Sequence, residues 1–153
     1  MAMIMQGDVT LPADREAVWV ALNDPNVLKA CIPGCQELEK VSDTEFQATA
    51  KISIGPVKAT FKGSVKLTDL DPPDSYTITG EGQGGVAGWA KGGAKVRLED
   101  IEGGTKLVYD VEANVGGKIA QLGGRLINGV AKKYADEFFA NFARILSPEE
   151  TAV

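Results

Sequence analysis

The stretch KIAQLGGRLINGVAKKYADEFFANFARIL, residues Lys118 to Leu146, decides the fold. Ile119, Leu122, Leu126, Val130, Tyr134, Phe138 and Phe142 recur every three or four residues, which places them on one face of a helix. Read as one helix, the stretch would be about 43 Å long. A helix of that length with a single apolar face needs a long partner surface, and the rest of the chain must supply it. Three of the five phenylalanines, Phe138, Phe139 and Phe142, sit near its end, so its anchoring volume is concentrated there. Its other half carries Gly116, Gly117, Gly123, Gly124 and Gly129. An interior glycine costs roughly 1 kcal/mol relative to alanine. The half from Gly116 to Gly129 is therefore expected to be the looser one and to lie beside the entrance to whatever the helix covers, with the turn from Gly84 to Trp89 as the opposite rim.

Upstream of the helix the period is two. Phe46, Ala48, Ala50, Ile52 and Ile54 alternate with Gln47, Thr49, Lys51 and Ser53. After Gly55-Pro56, Val57, Ala59, Phe61, Gly63, Val65 and Leu67 alternate with Lys58, Thr60, Lys62, Ser64 and Lys66. This is a hairpin with one apolar and one cationic face. Further strands are expected around Met3–Leu11, Ser75–Gln83, Val86–Asp100 and Thr105–Val115. Pro12 opens a short helix over Ala13–Leu22 with Asp14 and Glu16 in its first turn. Asp24-Pro25 ends it, and a second short helix through Val27 and Leu28 stops at Pro33-Gly34. The order is strand, two short helices, six strands, long helix. The fold expected is α+β: a curved antiparallel sheet of seven strands with the long helix across its concave side. Residues 1–146 form one domain and 147–153 a polar, flexible tail.

Residues on the concave phase are small: Ala48, Ala50, Ala59, Gly63, Gly80, Gly82, Ala90, Gly92, Ala94 and Ala113, with Phe46, Phe61, Val96, Tyr109 and Val111 interspersed. Gly80–Gly93 holds seven glycines in fourteen residues, enough to ask what fills the space beneath the helix. Two readings stand. Glycines permit curvature and close approach of backbones, or the missing volume is an apolar pocket for a small molecule. On the second reading the ligand contacts are Phe46, Ala48, Phe61, Gly63, Trp89, Gly92, Ala94 and Tyr109 from the strands, and Leu122, Leu126 and Tyr134 from the helix.

Composition narrows the function. The net charge is -5, which argues against nucleic acid as a partner. There is no histidine, so the commonest general base and metal ligand are missing, and Cys31 and Cys35 alone make no ordinary zinc site. No cofactor, metal site or catalytic residue is assigned. The start MAMIMQGD has no basic region and apolar core of a signal peptide, and no apolar run spans a membrane, so a cytoplasmic protein is expected.

Val18-Trp19-Val20-Ala21-Leu22-Asn23-Asp24-Pro25, followed by Cys31-Ile32-Pro33-Gly34-Cys35, resembles the N-terminal signature of the carbon monoxide dehydrogenase G-subunit family. Val86-Ala87-Gly88-Trp89 and the glycine-rich start of the last helix are similar too. The resemblance extends over roughly residues 1–146. It implies the helix-grip fold of the START and Bet v 1-like superfamily, with a hydrophobic cavity between sheet and helix. It also implies a noncatalytic accessory to a molybdenum hydroxylase of the carbon monoxide dehydrogenase type; the first functional expectation is that such an accessory binds a quinone- or lipid-like molecule and touches the inner membrane face transiently. Some members carry a C-terminal extension directed at the membrane; this sequence runs to Val153 without one, so no anchor of its own is expected. Two other functions remain open. A cyclase or hydratase would need an acid or base aimed into the cavity, for which Glu81, Asp110 and Glu112 are candidates, although Asp110 and Glu112 share the phase of Lys106 and should face out. A pure interaction module would bind nothing small. Cys31 and Cys35 flank a Pro-Gly turn within bridging reach, but two reduced thiols are expected in a cytosolic chain.

Overall fold

The computed structural model describes residues 2–147. The elements are β1 (Ala2–Leu11), α1 (Arg15–Leu22), α2 (Pro25–Cys31), β2 (Cys35–Ser42), β3 (Glu45–Ile54), β4 (Val57–Asp71), β5 (Ser75–Gln83), β6 (Trp89–Ile101), β7 (Gly104–Gly116) and α3 (Gly124–Leu146). The strands form one antiparallel sheet in the order β1-β7-β6-β5-β4-β3-β2. Only β1 leaves sequence order, because α1 and α2 carry the chain from one edge strand to the other. This is the helix-grip arrangement, with α3 laid over the apolar face of the sheet.

The register fixes that face. Met3, Met5, Gly7, Val9 and Leu11 of β1 pair with Ala113, Val111, Tyr109, Leu107 and Thr105 of β7. Val111, Tyr109 and Leu107 pair in turn with Ala94, Val96 and Leu98 of β6. Side chains opposite each other in an antiparallel ladder share a face, so every residue assigned above to the concave phase lies on the inner side. Lys58, Lys62 and Lys66 point outward, as the alternation requires.

Three boundaries differ from the sequence reading, and one strand gains the bounds it lacked. The stretch from Lys118 is not one helix. Lys118–Leu122 is a short 3-10 turn and α3 begins at Gly124, because Gly123 has φ 95°, a conformation that L side chains rarely adopt. The 23 residues of α3 span about 35 Å. The first helix starts at Arg15, since Asp14 is its cap: the carboxylate accepts from the Ala17 amide at 2.8 Å. Strand β6 starts at Trp89, and Val86 belongs to a 3-10 turn at Gly85–Ala87. Strand β2, for which the pattern gave no bounds, occupies Cys35–Ser42. The polar tail expected over 147–153 lies, after Ser147, outside the described residues.

Two separate clusters of buried side chains hold α3 to the sheet. The larger lies at the end bearing α1 and α2. There Phe142, Leu11, Val18 and Cys31 are fully enclosed, with Phe46, Leu67, Tyr76, Val96, Leu98 and Leu107 around them and Phe138 and Phe139 packed against them. Tyr109 stacks on Phe139 at 5.3 Å, and Trp19 meets Tyr76 edge to face at 5.2 Å. The smaller, at the opposite end, joins Ala87, Val115, Ile119 and Ile127. Arg15 ties α1 to two turns, donating to Asp74 and, at 2.9 Å, to Asp100.

The space beneath the long helix

Between the two clusters the inner face is lined by small residues in cross-strand rows. Ala48, Gly63, Gly82 and Ala90 stand side by side on β3, β4, β5 and β6. The next row runs Gly80, Gly92, Ala113 and Met3, and the one after it Ile78, Ala94, Val111 and Met5. Residues Ala48, Ala50, Ile52, Gly80, Gly82, Ala94, Val111 and Ala113 point beneath α3 yet are only half-buried, and none of them belongs to either buried cluster. These residues make a floor of small, half-buried residues facing the helix. Leu126, Val130 and Tyr134, on one stripe of α3 and also half-buried, form its roof. Phe46, Tyr76, Val96 and Tyr109 close the aromatic end, and Phe61, Val57, Ile54 and Leu122 pack on the cluster that closes the other.

The proposed contacts divide accordingly. Ala48, Gly63, Ala94, Leu126 and Tyr134 lie, half-buried, on the facing surfaces of sheet and helix. Phe46 is a buried wall residue, with the Lys40 ammonium 5.8 Å from its ring centre. Tyr109 is pinned between Phe139 and the bare backbone of Gly7, where a Cβ would strike the phenol ring. Phe61 lies over Gly84 in the same way, and Leu122 sits in the 3-10 turn on the smaller cluster. Trp89 must be withdrawn as a contact. It has the outward phase of β6, is 40% exposed and lies on Gly116 on the other side of the sheet. Gly92 is on the floor, but its role is backbone approach: a Cβ there would run into the Glu112 carbonyl and Ala113 of β7. A Cβ at Gly63 would likewise come within 2.7 Å of the Glu81 carbonyl. Both readings of the glycines thus hold, at different positions. Gly129 opens no volume under the helix because it faces solvent. Met3 and Met5 were missed; their alternation with Ile4 and Gln6 was the available signal, and methionine adapts its shape to irregular neighbours.

The looser half expected from Gly116 to Gly129 is anchored at two points. Ile119 and Ile127 are buried, and Gly88 and Gly117 meet backbone to backbone, each requiring a missing Cβ and a positive φ. Gly55 of the β3–β4 turn receives Leu126, whose Cδ2 would lie 2.8 Å from a Cβ there. Further along α3, the Tyr134 hydroxyl accepts from the Ser53 amide at 3.1 Å, and Asn141 donates to the Cys31 carbonyl at 3.0 Å.

The floor offers little chemistry. Glu81, Asp110 and Glu112 all have outward phase, so none supplies an acid or base to the space. They line open grooves on the outer face instead; one, about 720 Å³, runs past Ile4, Thr77, Lys95, Asp110 and Glu112. Among the described residues no three of the His, Cys, Asp and Glu side chains come together as a metal site. Both thiols are free. Burial pushes the Cys31 thiol above its ordinary value against the opposing charge of Arg144, and does the same to Cys35, whose Sγ donates to the Glu37 carbonyl at 3.4 Å. The Pro-Gly turn between them fits against β3: Gly34 has φ 78° and accepts from the Lys51 amide at 2.9 Å.

The family model for the G subunit of carbon monoxide dehydrogenase (CoxG) matches residues 7–147. The chain belongs to that family. The CoxG resemblance in the sequence rests on Val18–Pro25, the Cys31–Cys35 turn, the Val86–Trp89 loop and the glycine-rich start of the last helix, and within these Gly34, Gly88, Gly117 and Gly123 all take a positive φ. A conserved protein from Geobacillus kaustophilus is similar in structure, at 33% identity over 94% of this chain and 95% of that one, with a TM-score of 0.88. Two more distant structures share the fold. One is a protein from Rhizobium leguminosarum at 16% identity, 95% coverage of both chains and a TM-score of 0.71. The other is Ara h 8.0201 at 20% identity, covering 95% of this chain and 98% of that one, with a TM-score of 0.66. These two likenesses show that the CoxG chain shares their fold. No protein of curated function matches it in sequence. Among the described residues no helix is long and apolar enough to cross a membrane.

Proposed function

We propose that this protein is a noncatalytic accessory that holds a hydrophobic small molecule, quinone- or lipid-like, in the space under α3, in the service of a molybdenum hydroxylase of the carbon monoxide dehydrogenase type. The observation that carries the reading is the band of small, half-buried residues between two closed clusters. An interior at ordinary packing density would not leave apolar side chains half-exposed beneath a covering helix. An apolar space of this kind favours an apolar guest over water. The family supplies the partner class, and a guest of that solubility brings the protein to the inner membrane face, where such molecules reside; between visits it is cytoplasmic. A cyclase or hydratase is disfavoured because the carboxylates considered for it face the opposite side of the sheet.

Mass spectrometry of the natively purified protein is expected to release a hydrophobic molecule, and a hydrophobic fluorescent probe is expected to bind and to be displaced by a quinone analogue. Ala94→Phe, which fills the floor, is expected to abolish probe binding while the fold persists. A folded protein with no co-purifying molecule and no probe binding would overturn the reading in favour of a protein-interaction module.

A further inference from the structure

The charges of this acidic chain are segregated by sequence and then by topology. Residues 46–68, 82–98 and 113–135 contain no Asp or Glu, yet they hold eleven of the sixteen Lys and Arg. Antiparallel hairpins alternate their turns between the two ends of a sheet. The β3–β4 turn, the β5–β6 loop and the exit from β7 all fall at one end, and these are the acid-free segments. The turns and strand ends at the other end carry Asp43, Asp69, Asp71, Asp74, Asp100 and Glu102. Contacts join the first group in space: Gly88 meets Gly117, and Leu126 meets Gly55.

Several cations in these segments already face an acid. Lys66 stands opposite Glu45, Lys91 opposite Glu81 and Lys95 opposite Asp110, while Lys132 pairs with Asp136 and Arg97 with Glu99. Lys58, Lys118 and Arg125 have no such neighbour. All three are exposed at the glycine end, and among the described residues none is in an ion pair. Lys51 stands near Lys58 across the same hairpin. Between them projects the β5–β6 loop. Val86 at its tip is 94% exposed, and Trp89 at its base is 40% exposed. The glycines before Val86 leave nothing leaning on it; a Cβ at Gly85 would meet no atom within 4 Å.

An exposed aliphatic tip, a half-exposed tryptophan and a rim of unpaired cations are what an anionic membrane surface binds. The apolar groups enter the headgroup boundary and the cations meet lipid phosphates. We propose that this end docks on an anionic bilayer, with Val86 and Trp89 as its apolar contacts and Lys58, Lys118 and Arg125 as its headgroup contacts. The acidic turns at the far end are repelled by the same surface, so charge alone orients the molecule. The proposal deepens the membrane-facing part of the function proposed above and rests on it.

The test uses the full chain with vesicles of pure phosphatidylcholine and of phosphatidylcholine mixed with phosphatidylglycerol. Sedimentation with the mixed vesicles alone is expected, and raised salt should release the protein. Neutralising Lys58, Lys118 or Arg125 to Gln should weaken binding about fivefold each. Val86→Asp should weaken it about tenfold or more, with an unchanged circular dichroism spectrum. Brominated acyl chains should quench part of the tryptophan emission, and Trp89→Phe should remove the quenching although Trp19 remains. Equal binding to neutral vesicles would overturn the proposal. So would no binding to either vesicle, or indifference to these substitutions. Probe binding without vesicles is read separately, so failure of docking and failure of guest binding are told apart.

Discussion

The two ends of α3 are held by different means. At the α1–α2 end, aromatic rings fill the volume: Phe142 is fully enclosed, Phe138 stacks on it at 5.7 Å and Tyr109 stacks on Phe139. At the other end a smaller cluster around Ile119 and Ile127 is joined by close approaches that depend on absent side chains, with Gly88 against Gly117 and Gly55 under Leu126. The first end resists loss of atoms and the second resists their addition. Helix and sheet are thereby joined with stability stored at one end and shape kept by backbone at the other.

The largest expected effect breaks the aromatic end. Phe142→Ala should cost about 3–5 kcal/mol, read by denaturant unfolding, whereas Ile127→Ala in the smaller cluster should lie toward the low side of about 2–5 kcal/mol. Equal costs would mean that the ends are not mechanically different. The opposite substitution probes the glycine-lined floor. Gly92→Ala should destabilise by about 1–3 kcal/mol, the usual range for overpacking, because the neighbouring strand's carbonyl occupies the site of its Cβ. Ala94→Phe should carry a similar stability cost but also eliminate probe binding, and that second readout separates filled space from strained backbone.

Alkaline pH sharpens the comparison without changing volume. Burial holds the Tyr76 hydroxyl well above its ordinary value of 10.0. Folding then favours the neutral phenol, so this contribution to stability is complete below pH 10 and is lost progressively as pH rises above it. The loss should be smaller in Tyr76→Phe, as measured by melting temperature across that range. The smallest effect has the opposite sign. Gly129→Ala, on the solvent side of α3 with nothing within 4 Å of its Cβ, should stabilise by up to about 1 kcal/mol and leave probe binding unchanged.

Period-two alternation carried the strands and their inner faces because each hairpin from β3 to β7 has one solvated side. It failed where the ladder slips. Strand β2 has irregularities between Cys35 and Glu37 and between Lys40 and Ser42, so its apolar residues do not fall on one phase. The last helix was overextended because Ile119 and Leu122 sustain helical spacing through a 3-10 turn, and only the φ of Gly123 ends the run. Trp89 was read as a wall or mouth residue because it sits among glycines, although its alternation with Ala90, Gly92 and Ala94 already put its side chain on the outer side. The glycines on the floor could not be sorted from sequence, since whether a missing Cβ is open volume or a neighbour's carbonyl depends on how closely two strands approach.

The bond between Tyr134 and Ser53 has one more consequence. Strand β2 begins at Cys35 opposite Ala50, so the last residues of β3 have no strand beside them on that flank. Lys51 gives its amide to Gly34 and Ser53 gives its amide to the Tyr134 hydroxyl. Left bare, that backbone would be a template for strand addition by another chain. The helix that roofs the interior therefore also seals an exposed sheet border, and removing one phenol oxygen would trade a guarded border for one prone to edge-to-edge aggregation.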